Sequence, residues 1–183
     1  MSSVPKSRRS PHDFETPTKL RKVRAKVTEL AINDFGYDKE RVELKIKKFE
    51  ESVVNFERKE EIVASMRRKN ESFFTNFVEK ETDVVLDIIR NATIEFESGN
   101  SIYPSGAALM AEFRERRRHL DEAVGWLHCL KQELQYIAET LPGDKNRYVN
   151  VSDEIEELIR MVKGVRRAAN KFIKKDNRQK ATK

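Results

Sequence analysis

Between Gly36 and Gly99 the chain contains neither a glycine nor a proline. Both residues interrupt regular secondary structure, so a segment of this length without them favours long helices. Its apolar residues recur at spacings of three, four or seven: Val42, Ile46, Phe49, Val53, Phe56 and Val63. This is the pattern of a helix with one buried face, and we expect an all-α fold.

Composition agrees with long helices and argues against a βαβ enzyme. Charged residues make up 37% of the 183 residues, with only six glycines and five prolines, which are too few for the turns of an alternating α/β fold. The single cysteine cannot form an internal disulfide, and no apolar run is long enough to suggest a membrane span. We therefore expect a cytoplasmic protein.

The spacing of apolar residues, together with residues that commonly begin or end helices, predicts five helices. Their expected ranges are 16–34, 38–69, 72–98, 106–141 and 151–175. The boundary between the second and third rests on a polar stretch at 67–72, with Asn70 or Ser72 as a possible N-cap, and a single long helix is the alternative. Residues 1–13 are expected to be a disordered basic arm, and residues 176–183 a basic tail.

The fourth predicted helix has the most regular pattern. Its apolar residues keep a heptad register that is broken only by Arg116: Leu109, Phe113, Leu120, Ala123, Leu127, Leu130, Leu134, Ile137 and Leu141. A helix of ~35 residues spans roughly 50 Å and needs partners of similar length. We expect an antiparallel up-and-down four-helix bundle with an extra or elongated helical segment.

Charge is segregated along the chain. Residues 1–26 hold eight Lys or Arg against two acids, residues 160–183 hold ten against one, and the segment between them has a net charge of −9. Two basic ends on an acidic body are typical of a surface that binds a polyanion, although solvated tails give the same count.

The last predicted helix carries the clearest candidate surface. Its apolar residues share one face, and a row of cations is expected on the opposite face: Arg160, Lys163, Arg167, Lys171, Lys174 and Arg178. Such a row could contact a phosphate backbone without reading bases. The alternative is simple complementarity with the helix dipole, which places acids at the start of a helix and bases at its end.

Two further basic clusters are candidates. One lies on the fourth helix and contains Arg114, Arg116, Arg117 and Arg118. These arginines could pair with acids of neighbouring helices or face a groove that accepts phosphate, and the sequence favours neither. The other cluster runs from the amino-terminal arm into the first helix and includes Arg8, Arg9, Arg21 and Lys22.

The sequence predicts no enzyme, no metal site and no cofactor. There is no glycine-rich phosphate loop and no nucleophile elbow. None of the three histidines follows a glutamate by three residues, as a di-iron bundle requires, and Cys129 adjoins His128 instead of standing at ligand spacing. Cys129 is expected to be a small core residue.

Three blocks of the sequence resemble a known family. The first block is residues 5–10 (PKSRRS), and the second is residues 100–104 (NSIYP). The third begins with residues 115–120 (ERRRHL) and continues in the segments 132–137 (QELQYI) and 157–167 (ELIRMVKGVRR). Together they are similar to the four-helix-bundle accessory proteins encoded beside reverse transcriptases in diversity-generating retroelements of phages and bacteria. The resemblance covers most of residues 5–174 and is weakest over 38–71.

The resemblance implies a non-enzymatic partner of a reverse transcriptase. Members of the family form a basic, ring-like pentamer that binds the polymerase and nucleic acid and supports mutagenic cDNA synthesis. By position, Arg116 and Arg117 correspond to the family's arginine pair, and Lys163, Arg166 and Arg167 to the basic motif of the last helix. Relatives of the same bundle also occur as proteins of ribosomal-RNA intervening sequences that have no clear activity.

Two functional hypotheses follow. The first is a nucleic-acid-binding accessory subunit that associates with a reverse transcriptase, with template RNA or cDNA and with other copies of itself. The alternative is an oligomeric helical scaffold that contacts only proteins, in which the heptads serve assembly and the cations meet an acidic partner.

Overall fold

The computed structural model describes residues 11–53, 57–141 and 144–173, with side chains from residue 15 onwards. All regular structure in these ranges is helical, and no strand occurs among them. The helices are α1 (Pro11–Ile32), α2 (Lys39–Ser52), α3 (Lys59–Phe73), α4 (Glu79–Ser101), α5 (Leu109–Thr140) and α6 (Asn146–Ala168). Helix α1 therefore begins earlier than predicted, while residues 1–10 and 174–183 lie outside the described ranges.

The interruption in the long central segment lies at a different place from the predicted one. Helix α2 ends at Ser52 and α3 begins at Lys59, so the predicted helix 38–69 is two helices. At residues 70–72, where a break was predicted, α3 continues through a π-helical turn (Phe74–Val78) into α4, and the backbone stays helical at both junctions.

Asn70 explains why the polar stretch does not end the helix. Its side chain is buried, and its amide oxygen accepts a hydrogen bond from the Tyr37 hydroxyl at 2.5 Å. The amide is therefore bound to a distant residue and does not cap the backbone of its own segment. A tertiary contact overrides the local signal here.

Gly99 lies inside α4 and does not end it. Helix α4 continues past it to Ser101, and Gly99 is buried where α4 approaches α5. A methyl group added at Gly99 would come within 3.0 Å of the Leu120 side chain and 3.1 Å of the Arg116 carbonyl oxygen. The missing side chain lets the two helix backbones come close together.

Helices α1, α4, α5 and α6 enclose one hydrophobic core. Its fully buried side chains come from all four, including Leu20, Phe96, Leu130 and Leu158. Contacts between neighbouring helices run in opposite chain directions. Phe77, in the π-helical turn before α4, meets Tyr136 of α5, and Glu95 of α4 meets His119 of α5. Lys131 meets Glu156 and Asp121 meets Arg166 between α5 and α6. These neighbouring helices are antiparallel.

Helices α2 and α3 pack chiefly on each other, outside that core. Ile46 and Val63 are buried in this hairpin, and Arg67 of α3 joins Glu43 and Glu50 of α2 at 2.7 and 2.8 Å.

The turn after α1 fixes the start of this hairpin. Asp34 and Phe35 have positive φ values of 51° and 55°, which are unfavourable for residues with side chains, and Gly36 follows at 81°. Phe35 is buried, and its carbonyl oxygen accepts a hydrogen bond from the Tyr148 hydroxyl of α6 at 2.8 Å. Packing and this hydrogen bond hold the turn in its strained conformation.

Among the described residues, no helix combines the length and the apolar character needed to cross a membrane.

Candidate nucleic-acid interface

The outer face of α6 and the residues just after it expose three cations along one line. Arg160, Arg167 and Lys171 are exposed, whereas the apolar side of the same segment is buried: Leu158, Val162, Val165, Ala169 and Phe172. No carboxylate of the described residues lies within ion-pair distance of these three cations. We call Arg160, Arg167 and Lys171 the α6 cation stripe.

The other predicted cations of α6 do not belong to this line. Lys163 and Arg166 are half-buried on the side that faces α5. The Lys163 ammonium lies 3.5 Å from Nε2 of His128, and Arg166 forms an ion pair with Asp121. A step of three residues rotates the side chain by 60° from the line of Arg160, which turns Lys163 toward the neighbouring helix. Lys174 and Arg178 lie outside the described residues.

Local contacts within the same segment order two cations of the stripe. Nε of Arg167 donates a hydrogen bond to the main-chain oxygen of Lys163 at 3.3 Å, and the Lys171 ammonium lies 5.5 Å from the centre of the Phe172 ring. Between Arg160 and Arg167 the helix carries Gly164, and a methyl group added there would contact nothing. Arg160, Gly164 and Arg167 line one side of an open groove, and the acids Asp153, Glu154 and Glu157 line the rest of it with Met161.

Two of the four acids at 153–157 of α6 are neutralised from α1, whereas Glu156 pairs with Lys131 of α5. Lys19 lies 2.5 Å from Glu157 and 3.7 Å from Glu154, and Lys26 also pairs with Glu154. The Lys26 hydrogen bond, followed by the charge of Lys19, holds the pKa of Glu154 below its usual range. These pairs reduce the repulsion that exposed acids next to the stripe would exert on a polyanion.

The predicted cations of α1 divide between described and undescribed residues. Lys22 is exposed and lies three residues after Lys19 and four before Lys26, so the three share a helix face. Arg21 is exposed on another side, where it donates to the Thr18 hydroxyl at 3.2 Å. Arg8 and Arg9 lie outside the described residues.

Arg116 is not available to a phosphate, contrary to the prediction. Its side chain is 6% exposed and donates hydrogen bonds to the main-chain oxygens of Gly99, Asn100 and Ile102 at 2.9, 3.2 and 2.6 Å. The last carbonyls of a helix lack partners within the helix, and Arg116 supplies them. Arg116, the residue that breaks the heptad pattern of α5, therefore caps the carboxyl end of α4 from a buried position.

The remaining arginines of this cluster differ in their partners. Arg118 is bound by Glu115 at 2.7 Å and Glu122 at 2.6 Å, and these hydrogen bonds raise its pKa and lower those of both carboxyls. Arg117 is exposed and only loosely paired with Asp121 at 3.8 Å. Arg114 is exposed, and no described carboxylate lies within ion-pair distance of it.

The structure also assembles a group that the sequence pattern did not predict. Ligand-type atoms of Glu95, His119 and Glu122 lie within 4.8 Å of one another. His119 and Glu122 are three residues apart on α5, and this spacing is visible in the sequence, but Glu95 joins them from α4 only through the fold.

Cys129, expected in the core, is exposed.

Comparison of the chain with protein-family models, curated proteins and solved structures finds no match.

Proposed function

We propose that this chain is a non-catalytic nucleic-acid-binding subunit that contacts phosphates through the α6 cation stripe. The observation that carries the proposal is the exposure of Arg160, Arg167 and Lys171 on one line with no ion-pair partner among the described residues. Cations at the end of a helix also complement its dipole, but that effect is confined to the last turn. The stripe runs over about three turns.

The dimensions of the stripe suit a phosphate backbone. Lys171 lies eleven positions after Arg160, a rise of roughly 16 Å along a helix, which is the length of about five nucleotides at 3.4 Å per nucleotide. Arginine and lysine bind phosphate oxygens in any sequence context, so we expect affinity without base specificity. Lys22 on the neighbouring α1 would extend the same surface.

We further propose that α1, α4, α5 and α6 form an antiparallel up-and-down four-helix bundle. The antiparallel contacts between neighbouring helices and the short connections after α4 and α5 support this architecture. The hairpin of α2 and α3 is then the extra helical segment.

The resemblance of three sequence blocks to retroelement accessory proteins supports a specific setting for this binding. In it, the chain associates with a reverse transcriptase and its template RNA or cDNA, and several copies assemble, as a pentamer in the family. Assembly would display several stripes together, so weak phosphate contacts would reinforce one another. Arg117, Arg166 and Arg167 remain candidates within this proposal, and Arg116 does not because it is buried.

The test removes the charges of the α6 cation stripe without changing the fold. We expect the triple variant R160Q/R167Q/K171Q to lose most of the affinity for a single-stranded RNA of about 30 nucleotides, measured by filter binding at low salt. The matched control is K45Q/K47Q/K48Q, which removes the same charge from exposed positions of α2. Circular dichroism should report unchanged helix content for both variants.

The outcomes separate the two functional classes. Loss of RNA binding in the stripe variant alone supports the assignment, and an equal loss in both variants shows that only net charge matters. If the unmodified protein shows no RNA binding that weakens with added salt, the protein-interaction scaffold is the better description. Co-purification with a neighbouring reverse transcriptase, and light scattering for subunit number, test the retroelement setting.

A further inference from the structure

We propose that Glu95, His119 and Glu122 bind one Zn²⁺ ion that links α4 to α5. Glu95 lies on α4, and His119 and Glu122 lie on the same face of α5, three residues apart. One imidazole nitrogen and two carboxylate oxygens are hard and borderline ligands of the kind that zinc accepts, with water completing a tetrahedral site.

The ligand atoms already stand close to a coordinating arrangement. Nδ1 of His119 lies 2.6 Å from a carboxylate oxygen of Glu95, and the ligand atoms of all three residues fall within 4.8 Å of one another. In a tetrahedral zinc site with bonds of about 2.0 to 2.1 Å, neighbouring ligand atoms are roughly 3.3 Å apart. Metal entry therefore requires the His119–Glu95 pair to open by about 0.7 Å and the widest pair of ligand atoms to close by at most about 1.5 Å.

The other imidazole nitrogen of His119 also has a carboxylate neighbour. Nε2 of His119, the nitrogen that faces away from Glu95, lies 3.1 Å from a carboxylate oxygen of Glu115. Metal-bound histidines almost always donate their other ring N–H to a carboxylate or carbonyl, which fixes the ring orientation. When a metal occupies Nδ1, Nε2 carries the proton and donates to Glu115, and the Arg118 guanidinium, which lies 3.1 Å from Nε2 without metal, turns to its carboxylate partners Glu115 and Glu122.

The charge of the cluster also favours a divalent cation. Glu95, Glu115 and Glu122 bring three carboxylates together, and the permanently charged group among them is Arg118. Arg118 donates to one oxygen of Glu122 and also lies 3.1 Å from Nε2 of His119. The second oxygen of Glu122 remains for the metal, and Zn²⁺ would balance the two negative charges that Arg118 leaves when His119 is neutral.

Burial adds to the expected affinity. The side chains of His119 and Glu95 are 17% and 21% exposed, so both are largely removed from competing water. Glu122 is more exposed and leaves an entry path.

The experiment titrates ZnCl₂ into the full chain by isothermal calorimetry and records the visible spectrum with CoCl₂. We expect one saturable Zn²⁺ site, tetrahedral Co²⁺ absorption bands and a Zn²⁺-dependent rise in unfolding temperature, because the metal links two helices of the folded state. H119A and E95Q should abolish all three responses, and E115Q should weaken Zn²⁺ binding by about tenfold. Circular dichroism without metal identifies variants that fold.

The matched control is the double variant H128A/C129S, which removes the exposed histidine and cysteine of α5 outside the cluster. It should bind Zn²⁺ as the unmodified chain does. The proposal is overturned if the unmodified chain shows no saturable Zn²⁺ binding, if folded H119A binds normally, or if the control loses the site. RNA binding by the α6 cation stripe does not depend on these residues, so the two proposals fail separately.

Discussion

The guanidinium of Arg116 donates a hydrogen bond to the main-chain oxygen of Gly99 at 2.9 Å. Arg116 occupies the polar position in the apolar register of α5, and Gly99 lies where the two helix backbones approach each other. The absence of a side chain at Gly99 lets α4 and α5 come close, and Arg116 satisfies the carbonyls at the end of α4.

Replacement of Arg116 tests this cap. We expect R116M to lower the free energy of unfolding by about 2 to 4 kcal/mol, because buried carbonyl oxygens lose a charged donor. Urea denaturation followed by circular dichroism measures the change. The control R117M alters an exposed neighbour and should shift stability by less than about 0.5 kcal/mol. Equal effects of the two substitutions would contradict the buried role.

Replacing three helical glycines by alanine should change stability in opposite directions. G125A and G164A should each stabilise the protein by about 0.5 to 1 kcal/mol, because an added methyl group meets open space and alanine is the better helix former. G99A should destabilise it by about 1 to 3 kcal/mol, because the methyl group meets Leu120 and the backbone of α5. Thermal and urea unfolding of the three variants provide the measurement, and a stabilising G99A would refute the close packing.

Tyr148 makes stability depend on pH at alkaline values. Burial raises its pKa to about 12, whereas a tyrosine in the unfolded chain ionises near 10. Between these values the unfolded chain has released a proton that the folded chain retains, so the free energy of unfolding falls as the pH rises.

The variant Y148F isolates this contribution. At pH 7 it should lose about 1 kcal/mol with the hydrogen bond to Phe35, and the difference from the unmodified chain should shrink as the pH rises from about 10 to 12. Urea titrations at pH 7 and above pH 10 test both parts. A constant difference across this range would show that Tyr148 is not protected from ionisation.

Asp121 limits the number of free cations near the α6 cation stripe. It forms an ion pair with Arg166 and contacts Arg117 at 3.8 Å. If the stripe binds RNA, D121N should raise the affinity by about twofold to fivefold at low salt, because it frees cations for phosphate contacts. E51Q makes the same charge change at an exposed site on α2, and filter binding should detect a smaller effect there.

The limits of sequence reasoning are clear at two positions. The polar stretch around Asn70 predicts a helix break, but the structure uses Asn70 as a buried partner for Tyr37, and the helix continues. Arg116 interrupts a heptad, and the sequence favours neither an acid partner nor a phosphate groove for it, yet it is buried and bound to main-chain oxygens. In both cases a polar side chain has a partner that is distant in sequence, and local patterns carry no information about it.

The sequence by itself determined that the chain is helical and which face of α6 is buried, because helix propensity and apolar periodicity act within a few turns of one segment. Only the tertiary structure decided which cations stay free and which are neutralised, and that Glu95 meets His119 and Glu122. Those outcomes depend on which helices lie side by side and on their register, since electrostatic and hydrogen-bonding partners act over a few ångströms of space, whatever their separation along the chain.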